Sequence, residues 1–306
     1  SKKVYFTFHL PYLTCYKNDF RYYGIEDCNN FSSVDRCVNC IIAARLHFNK
    51  RAEWYNPSNL IIKSLTPVIK KSKSINTLKA RLAFRRNQLD ELILVCNEIF
   101  IYGKWFDELL KKNGYDYPVF KVIPHISNPF VNDNSGEGKI VKNKIVFVGR
   151  IEPQKGLHLL CKAMSIITTR NLELDVYGNR SDEDYYNRCK QNYNFNYKGA
   201  VQRTELLGAL KNYDFLILPS VFTEMYSLAL KEAFYERLPA IVSSAKGNKD
   251  VVIDGRNGFV FHYDNYSDLA RVIDKAYSLK KENWQPVFEN TTLPENDIRK
   301  ILSFYN

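Results

Sequence analysis

Short apolar runs alternate with segments of helical periodicity from about residue 144 to about residue 280. The apolar runs predict strands at Lys144–Val148, Leu172–Tyr177, Phe195–Lys198, Asp214–Pro219 and Ala240–Ser243. The periodic segments predict helices at Lys155–Thr169, Asp182–Gln191, Arg203–Asn212, Tyr226–Arg237 and Tyr266–Leu279. Strands that alternate with helices of this length are joined by right-handed crossovers and form a parallel sheet. Both faces of such a sheet are covered, and ligands bind at the carboxyl ends of its strands.

The chain before residue 130 is less regular. Its apolar runs predict strands at Val4–Phe8, Leu92–Cys96 and Val119–Ile123, which indicates part of a second α/β domain. The polar, glycine-bearing segment Asn132–Gly138 is typical of a linker. We therefore expect an incomplete Rossmann-like domain over residues 1–130, a Rossmann-like domain over residues 131–285, and a C-terminal segment over residues 286–306. The last segment ends in helical spacing and is expected to pack back toward the first domain.

Composition narrows the class of protein. Of the 306 residues, 45% are hydrophobic and 25% are charged, which is ordinary for a globular protein and excludes a disordered chain. No apolar run approaches the roughly 18 residues that a membrane span needs. The pattern predicts a strand almost at once after Ser1, so we expect no signal peptide in this segment and an upstream part that is missing. We expect a cytoplasmic location, peripheral at the inner face of a membrane.

The net charge of +11 is unevenly distributed. Residues 1–128 hold 20 basic and 11 acidic side chains, and the region between Glu53 and Asp90 holds no acidic residue. Eight cations lie within residues 63–86, around an apolar spacing that predicts an amphipathic helix (Ile75, Leu78, Leu82, Leu89). Two interpretations stay open: a solvated helix face, or contact with an anionic membrane surface or polyanionic acceptor. Nucleic acid is not the expected partner, because no nucleic-acid-binding motif accompanies the charge.

Seven cysteines occur, an odd number that suits a reducing compartment. Four of them are close in sequence, and the last two form a Cys-x2-Cys pair: Cys15, Cys28, Cys37 and Cys40. Such a set is compatible with a structural zinc ion or with reduced thiols that hold a loop. The second pair lacks a matching first Cys-x2-Cys, so both alternatives stay open.

A glycine-bearing loop with two cations follows the predicted strand at Lys144–Val148. Gly149 lets the backbone turn, and Arg150 and Lys155 can both reach the space above the strand end before Gly156 opens a helix. Two cations beside a helix N-terminus are typical of a phosphate site. A loop with two solvated charges is the alternative.

A second loop of this kind follows the predicted strand at Asp214–Pro219. Glu224 lies in the loop and Glu232 lies in the first turns of the next helix. A phosphorylated ligand laid across the N-terminal amides of that helix would have one carboxylate on each side. Glu232 could then accept both hydroxyls of a ribose, as acidic residues do in dinucleotide sites. The alternative is a carboxylate favoured by the helix dipole.

Taken together, Gly149-Arg150-x4-Lys155-Gly156 and Glu224-x7-Glu232 resemble glycosyltransferase family 4, whose members are retaining enzymes of the GT-B fold. Three further segments match the family pattern in the same order: Tyr177-Gly178-Asn179, Tyr197-Lys198-Gly199-Ala200-Val201 and Asp254-Gly255-Arg256-Asn257-Gly258-Phe259. The resemblance implies an α/β, GT-B architecture in which two Rossmann-like domains face a cleft. The first domain would bind the acceptor and the second the nucleotide-sugar donor.

The resemblance also implies roles for individual residues. Gly149, Arg150 and Lys155 would bind the donor diphosphate, and Glu232 the ribose. Glu224 and the amides of Met225, Tyr226, Ser227 and Leu228 would bind the donor sugar and phosphate. Gly178, Asn179 and Val201 would line the nucleotide pocket, Val201 lying against the base. Thr7-Phe8-His9 resembles a segment in which a histidine faces the transferred sugar, so His9 and Glu224 are the candidate catalytic residues.

The expected reaction transfers a sugar from a nucleotide diphosphate sugar to a hydroxyl of a glycan or lipid-linked acceptor. The family and the basic region favour an acceptor from polysaccharide or lipopolysaccharide biosynthesis. Arg150, Lys155 and the helix N-terminus would stabilise the departing diphosphate, so that neither a metal ion nor a cofactor is expected. Asp182-Glu183-Asp184 could bind a metal, but we interpret it as helix-start acids behind an N-cap at Ser181.

One departure from the family pattern bears on activity. Members carry roughly a hundred further residues before the Thr-x-His strand, as expected for a full domain. We therefore expect an acceptor domain that lacks its start. The alternatives are an inactive nucleotide- or membrane-binding fragment and another GT-B enzyme, such as a nucleotide-sugar epimerase or a phosphorylase.

Overall fold

The structure is a computed structural model that describes residues 3–8, 12–17, 20–22, 26–48, 73–123, 142–225, 227–281, 284 and 286. Several predictions concern residues outside these ranges: His9, Tyr226, the linker at Asn132–Gly138, residues 63–72 of the basic region and the C-terminal helix. The chain divides into two compact units, Ser1–His125 and Ile126–Asn306. No helix among the described residues has both the length and the apolar character that crossing a bilayer demands.

The first unit contains a parallel sheet in the order β1-β4-β5 and a short antiparallel pair, β2-β3. The strands are β1 Tyr5–Thr7, β2 Arg21–Tyr22, β3 Glu26–Asp27, β4 Glu98–Tyr102 and β5 Phe120–Ile123. Its helices are α1 Val34–Phe48, α2 Lys73–Val95 and α3 Lys104–Lys112. Helix α2 buries Ile75, Leu78, Leu82 and Leu89, the amphipathic spacing that the sequence predicts.

The prediction of a strand at Leu92–Cys96 is wrong. Residues 92–95 are the last turn of α2, and the strand beside it is β4, which begins at Glu98. Leu94 and Val95 are 84% and 60% exposed, so this apolar run lies at a helix end on the surface and not within the sheet.

Packing uses several cations of the basic region. Lys79 pairs with Asp35 at 2.7 Å. The Arg85 guanidinium lies 3.7 Å from the centroid of the Tyr12 ring. Arg86 is buried, and its Nη2 lies 3.3 Å from the Cys37 sulfur. These three cations therefore contribute to the fold of the first unit, whereas Arg81 is exposed.

The four clustered cysteines line one small cavity of about 20 Å³. Burial raises the pKa of the Cys28 and Cys37 thiols, although nearby Arg36 and Arg86 oppose this. All four are unbridged thiols. Within the ranges that the structure describes, no three His, Cys, Asp or Glu side chains are grouped so that they could hold a metal ion.

The second unit is a six-stranded parallel sheet in the order β8-β7-β6-β9-β10-β11. Its strands are β6 Lys144–Val148, β7 Glu173–Tyr177, β8 Asn196–Gly199, β9 Phe215–Leu218, β10 Ala240–Ser243 and β11 Gly258–Phe261. Its helices are α4 Leu157–Met164, α5 Glu183–Asn192, α6 Arg203–Leu210, α7 Leu228–Tyr235 and α8 Tyr266–Lys281. The five predicted strands and five predicted helices alternate along the chain as expected, although α4 and α7 are shorter than predicted. Strand β11, which follows β10 without an α-helix between them, was not predicted. The N-cap of α5 is Asp182, whose carboxylate accepts from the Tyr185 amide at 2.9 Å, and not Ser181.

Side chains alternate between the two faces of this sheet because successive residues of a strand point to opposite sides. Phe215 and Ile217 of β9 pack with α4, α5 and α8, whereas Leu216 and Leu218 pack with α6 and α7. The central strands β9 and β10 are therefore buried along their whole length, and the sheet is covered on both faces. Polar groups for a ligand are left to the loops at the strand ends.

Candidate functional site

The centre of the second unit's sheet contains a topological switch point. Strand β6 pairs with β9, and the chain continues from β6 toward β7 and β8 but from β9 toward β10 and β11. The loops after β6 and β9 therefore leave on opposite faces of the sheet and open a crevice between them, where α/β sheets of this order bind ligands. The two motifs singled out in the sequence are these two loops.

The loops after β6 and β9 are joined through their main chains. The amide of Val221 donates to the Gln154 carbonyl at 2.8 Å. Gly156 has a φ of 76°, and a Cβ there would lie 1.9 Å from the Pro219 carbonyl oxygen. The positive φ favours glycine at 156, and the close approach of the Pro219 carbonyl leaves no room for a Cβ there.

Lys155 and Glu224 face each other across the junction. Lys155 Nζ lies 3.0 Å from Glu224 Oε2, and the two side chains are only 19% and 5% exposed. The Ser220 hydroxyl donates to the other oxygen of Glu224, so both carboxylate oxygens have a partner. The ammonium also lies 5.0 Å from the centroid of the Phe222 ring.

The main chain of Glu224 is held by the loop after β10. Its amide donates to the Lys246 carbonyl at 3.1 Å. Gly247 has a φ of 96°, and a Cβ at Gly247 would lie 1.7 Å from the Glu224 carbonyl oxygen. The carboxylate is therefore fixed through its backbone as well as through its side chain.

Helix α7 begins beside Glu224. Ser227 occupies the N-cap and makes no side-chain capping hydrogen bond. Met225 and Ser227 are buried, whereas Leu228 is 49% exposed. The first amides of a helix have no partner within the helix, and this end of α7 therefore offers donors to an anion.

Glu232 lies in the second turn of α7 and is paired with Arg203 at the start of α6. Arg203 Nε lies 2.9 Å from Glu232 Oε1. Burial raises the pKa of the Glu232 carboxyl, and the charge of Arg203 and its hydrogen bond oppose this rise. A buried carboxylate beside one guanidinium can accept further hydrogen bonds from hydroxyls.

The other predicted site residues lie in the loops that follow β6, β7 and β8. Arg150 is 67% exposed and pairs with Glu152 at 3.0 Å. The Gly149 amide donates to the Tyr177 carbonyl at 3.0 Å and the Ile151 amide to the Asn179 carbonyl at 2.9 Å. Gly178 has a φ of 147°, and a Cβ there would lie 1.8 Å from the Gly149 carbonyl oxygen. Val201 is partly buried beside the residues of α6 and α7.

Three residues of this edge were given no role in the sequence analysis. Ser220 holds Glu224, Gly247 lets the loop after β10 approach it, and Arg203 neutralises Glu232. Ser220 stands in the same loop as Glu224 and could have been noticed there. Arg203 lies 29 positions before its partner, and only the packing of α6 on α7 brings the pair together.

Comparison with known proteins identifies the family. The sequence model of "Glycosyl transferases group 1" matches residues 133–286, about half of the chain. The UDP-Gal:alpha-D-GlcNAc-diphosphoundecaprenol alpha-1,3-galactosyltransferase of Escherichia coli is 31% identical over an alignment of 210 residues, and the match covers 63% of this chain and 52% of that protein. An uncharacterized glycosyltransferase of Methanocaldococcus jannaschii is 30% identical over 139 residues, 44% of this chain and 35% of that protein. The chain thus spans about half or less of the length of these relatives.

Solved structures agree on the fold. A TarM variant from S. aureus, solved with fondaparinux, alpha-GlcNAc-glycerol and UDP, is 18% identical with a TM-score of 0.54 over 72% of this chain and 46% of that one. HepE from Anabaena, solved with UDP, is 13% identical with a TM-score of 0.52 over 88% of this chain and 76% of that one. At these identities the likeness concerns the fold alone, the α/β architecture with parallel sheets of GT-B glycosyltransferases. The family match extends over the crevice and both of its motifs, and the chain therefore belongs to the group 1 glycosyl transferases.

Proposed function

We propose that this chain is the nucleotide-sugar-binding part of a retaining glycosyltransferase, and that it transfers a sugar from a UDP-sugar to a hydroxyl of a glycan or lipid-linked acceptor. The observation that carries the proposal is the Lys155–Glu224 pair at the switch point, beside the N-terminus of α7. Together with Glu232, this pair and the helix amides match the three chemical parts of such a donor. These parts are a diphosphate, a sugar with hydroxyls and a ribose.

The names of similar proteins support uridine as the donor nucleoside. The Escherichia coli relative is named for UDP-Gal, and HepE and the TarM variant were solved with UDP. Among relatives, a Staphylococcus aureus protein is named a capsular polysaccharide biosynthesis glycosyltransferase, which supports a polysaccharide precursor as the acceptor class.

In this proposal Lys155, Arg150 and the amides at the start of α7 bind the diphosphate. The bond between the sugar's anomeric carbon and the β-phosphate oxygen breaks as the acceptor oxygen forms its bond on the same face. The acceptor proton passes to the departing phosphate oxygen. Cations and helix amides offset the charge that develops on the diphosphate, a role that a divalent metal plays elsewhere. Glu224 holds sugar hydroxyls and Glu232 the ribose, and the role of His9 beside the transferred sugar stays a prediction from the family resemblance.

Binding of nucleotides tests the proposal directly. Thermal unfolding and calorimetry with UDP, GDP and ADP should give a rise in Tm and a measurable Kd with UDP, and Glu232→Ala should remove both. Release of UDP from UDP-galactose or UDP-glucose, followed with EDTA present, tests transfer and its independence of metal. Absence of binding to all three nucleotides would overturn the proposal.

A membrane-binding role for residues 63–86 remains a second proposal. Lys79, Arg85 and Arg86 are engaged within the first unit, which weakens the electrostatic part of this proposal. Co-sedimentation with vesicles of phosphatidylcholine alone and with added phosphatidylglycerol tests it. Equal binding to both vesicles would contradict it.

A further inference from the structure

Arg203 connects two parts of the crevice that are far apart in the sequence. It is the first residue of α6, which follows the segment after β8 that is predicted to lie against the nucleotide base. Its side chain reaches Glu232 on α7, where Nε and Oε1 are 2.9 Å apart. The base side of the pocket and the predicted ribose carboxylate are thereby joined by one ion pair.

Glu232 needs such a partner. Its side chain is only 9% exposed, and a carboxylate withdrawn from water without a countercharge tends to take up a proton. An ionised carboxylate accepts hydrogen bonds through both oxygens, whereas a protonated one turns one oxygen into a donor. A ribose presents two adjacent hydroxyls that both donate to such a carboxylate. The ionised form is therefore the one that fits the proposed role.

Arg203 supplies this countercharge from the elements packed around Glu232. Strands β9 (FLIL) and β10 (AIVS) bring no ionisable side chain. On α7 itself, Lys231 is partly buried, and its pKa is lowered to about 8 by burial and by the charge of Arg203. Glu236, one turn further on, pairs with Lys211 at 3.7 Å. Arg203 thus pairs with Glu232, whereas Lys211 pairs with Glu236.

We propose that Arg203 is a positioning residue for nucleotide binding: it keeps the Glu232 carboxylate ionised and aimed at the ribose hydroxyls of the donor. The inference rests on the proposed function, because it takes Glu232 as the ribose-binding group. Arg203 itself need not touch the nucleotide. It acts by fixing the charge and the orientation of the residue that does.

A binding cycle between protein and ligand tests this role. The Kd values of UDP and 2′-deoxy-UDP are measured for the natural chain, Arg203→Ala and Arg203→Lys. Removal of a charge-assisted interaction should weaken UDP binding about tenfold in Arg203→Ala, with partial recovery in Arg203→Lys. For 2′-deoxy-UDP the Arg203→Ala effect should fall below about threefold, because one of the hydroxyls that Glu232 holds is missing.

The pH dependence of UDP affinity gives a second measurement. UDP affinity should fall as the pH drops through the pKa of Glu232. Without Arg203 this pKa is higher, so the midpoint of the fall should move to higher pH in Arg203→Ala. Lys211→Ala is the matched control, because it breaks the neighbouring pair with Glu236 and should leave both the midpoint and the Kd unchanged.

The Glu232→Ala and Arg203→Ala variants distinguish failure of the proposed function from failure of the role of Arg203. If Glu232→Ala leaves UDP affinity intact, the proposed function fails and the inference with it. If Glu232→Ala abolishes binding but Arg203→Ala weakens UDP and 2′-deoxy-UDP equally, with an unmoved pH midpoint, only the inference is overturned. Thermal unfolding of every variant shows whether it is folded, and Arg203→Lys keeps the test decisive should Arg203→Ala not fold.

Discussion

Lys155 Nζ lies 3.0 Å from Glu224 Oε2, although 69 positions separate the two residues in the sequence. The pair lies at the crevice, where the strand order of the sheet reverses between β6 and β9. In the proposed function each member of the pair also contacts the donor: the ammonium contacts phosphate, and the carboxylate contacts sugar hydroxyls. Their contributions to stability and to binding can therefore be separated by mutation.

Lys155→Met should destabilise the second unit by about 1–3 kcal/mol, because it leaves a buried carboxylate without its cation. The double variant Lys155→Met with Glu224→Gln should recover most of that loss, since the remaining amide carries no charge. UDP affinity should stay low in both variants, because the phosphate contact is absent from each. Urea unfolding and calorimetry measure the two quantities. Recovery of UDP affinity in the double variant would contradict the phosphate role of Lys155.

Gly156→Ala should distort the junction of the two loops. The new methyl group would meet the Pro219 carbonyl, and the backbone there has a positive φ, so we expect a loss of at least about 2 kcal/mol in the free energy of unfolding. Gly208→Ala is the matched control: it lies in α6, and a Cβ there meets no atom within 4 Å. The control should be neutral or stabilising by up to about 1 kcal/mol. Equal stability of the two variants would argue against close approach at Gly156.

Asp214 is a buried carboxylate that joins the start of the second unit to its last described helix. It accepts the Lys142 and Lys144 amides and pairs with Lys280 at 3.0 Å. Asp214→Asn should cost about 2–4 kcal/mol, because Lys280, whose side chain is only 12% exposed, loses its countercharge.

The comparison for Asp214 is the exposed pair between Lys144 and Glu173 at 2.9 Å. Glu173→Gln should change the free energy of unfolding by less than about 1 kcal/mol, because solvent screens that pair. Chemical denaturation of the two variants gives the comparison. Similar costs would mean that burial does not strengthen the Asp214 interactions.

His158 should make stability depend on pH in the acid range. Burial, with Lys162 and Arg188 nearby, lowers its pKa from 6.5 to about 4. The Tyr185 hydroxyl lies 2.8 Å from Nδ1, and it accepts from the His158 amide, so it can donate to a neutral ring. Between pH 6.5 and about 4, His158 is protonated in the unfolded chain but neutral in the folded chain. Stability contributed by the neutral ring is therefore complete above pH 6.5 and is lost as the pH falls toward 4.

We expect that loss to reach up to about 2 kcal/mol, since the side chain keeps some contact with water. His158→Gln cannot titrate, and its stability should fall less steeply between pH 6.5 and 4. Thermal unfolding of both chains across this range measures the difference. Parallel curves would show that His158 takes up its proton over the same pH range in the folded and the unfolded chain, which would contradict this prediction.

Strands β9 and β10 were predictable because their apolar runs are buried along their whole length, as expected in a parallel sheet covered on both faces, whereas the edge strand β8 (NYKG) is mostly polar. The same rule misled at Leu92–Cys96, where Leu94 and Val95 are apolar but exposed at a helix end. Glu98 begins the true strand and weakens its apolar pattern. Local sequence does not show whether an apolar run is buried, and here tertiary packing decided it.

The family motifs were predictable because their spacing is local. The partners that hold them were less so: Arg203 and Gly247 approach Glu232 and Glu224 only through the packing of separate loops and helices. Gly247 is one of many glycines, and no local pattern distinguishes it. The role of such residues depends on a distance in space that the order of amino acids does not encode directly.

Gly156, Gly178 and Gly247 each bring main chain against main chain at the ends of neighbouring strands. A pocket with walls of this kind owes its shape to few side chains. Under the proposed function, relatives could therefore exchange most of the surrounding amino acids, and with them the preference for one sugar over another, without moving the bound phosphates. The residues around the pocket can therefore change faster in evolution than the glycines that set its main-chain shape.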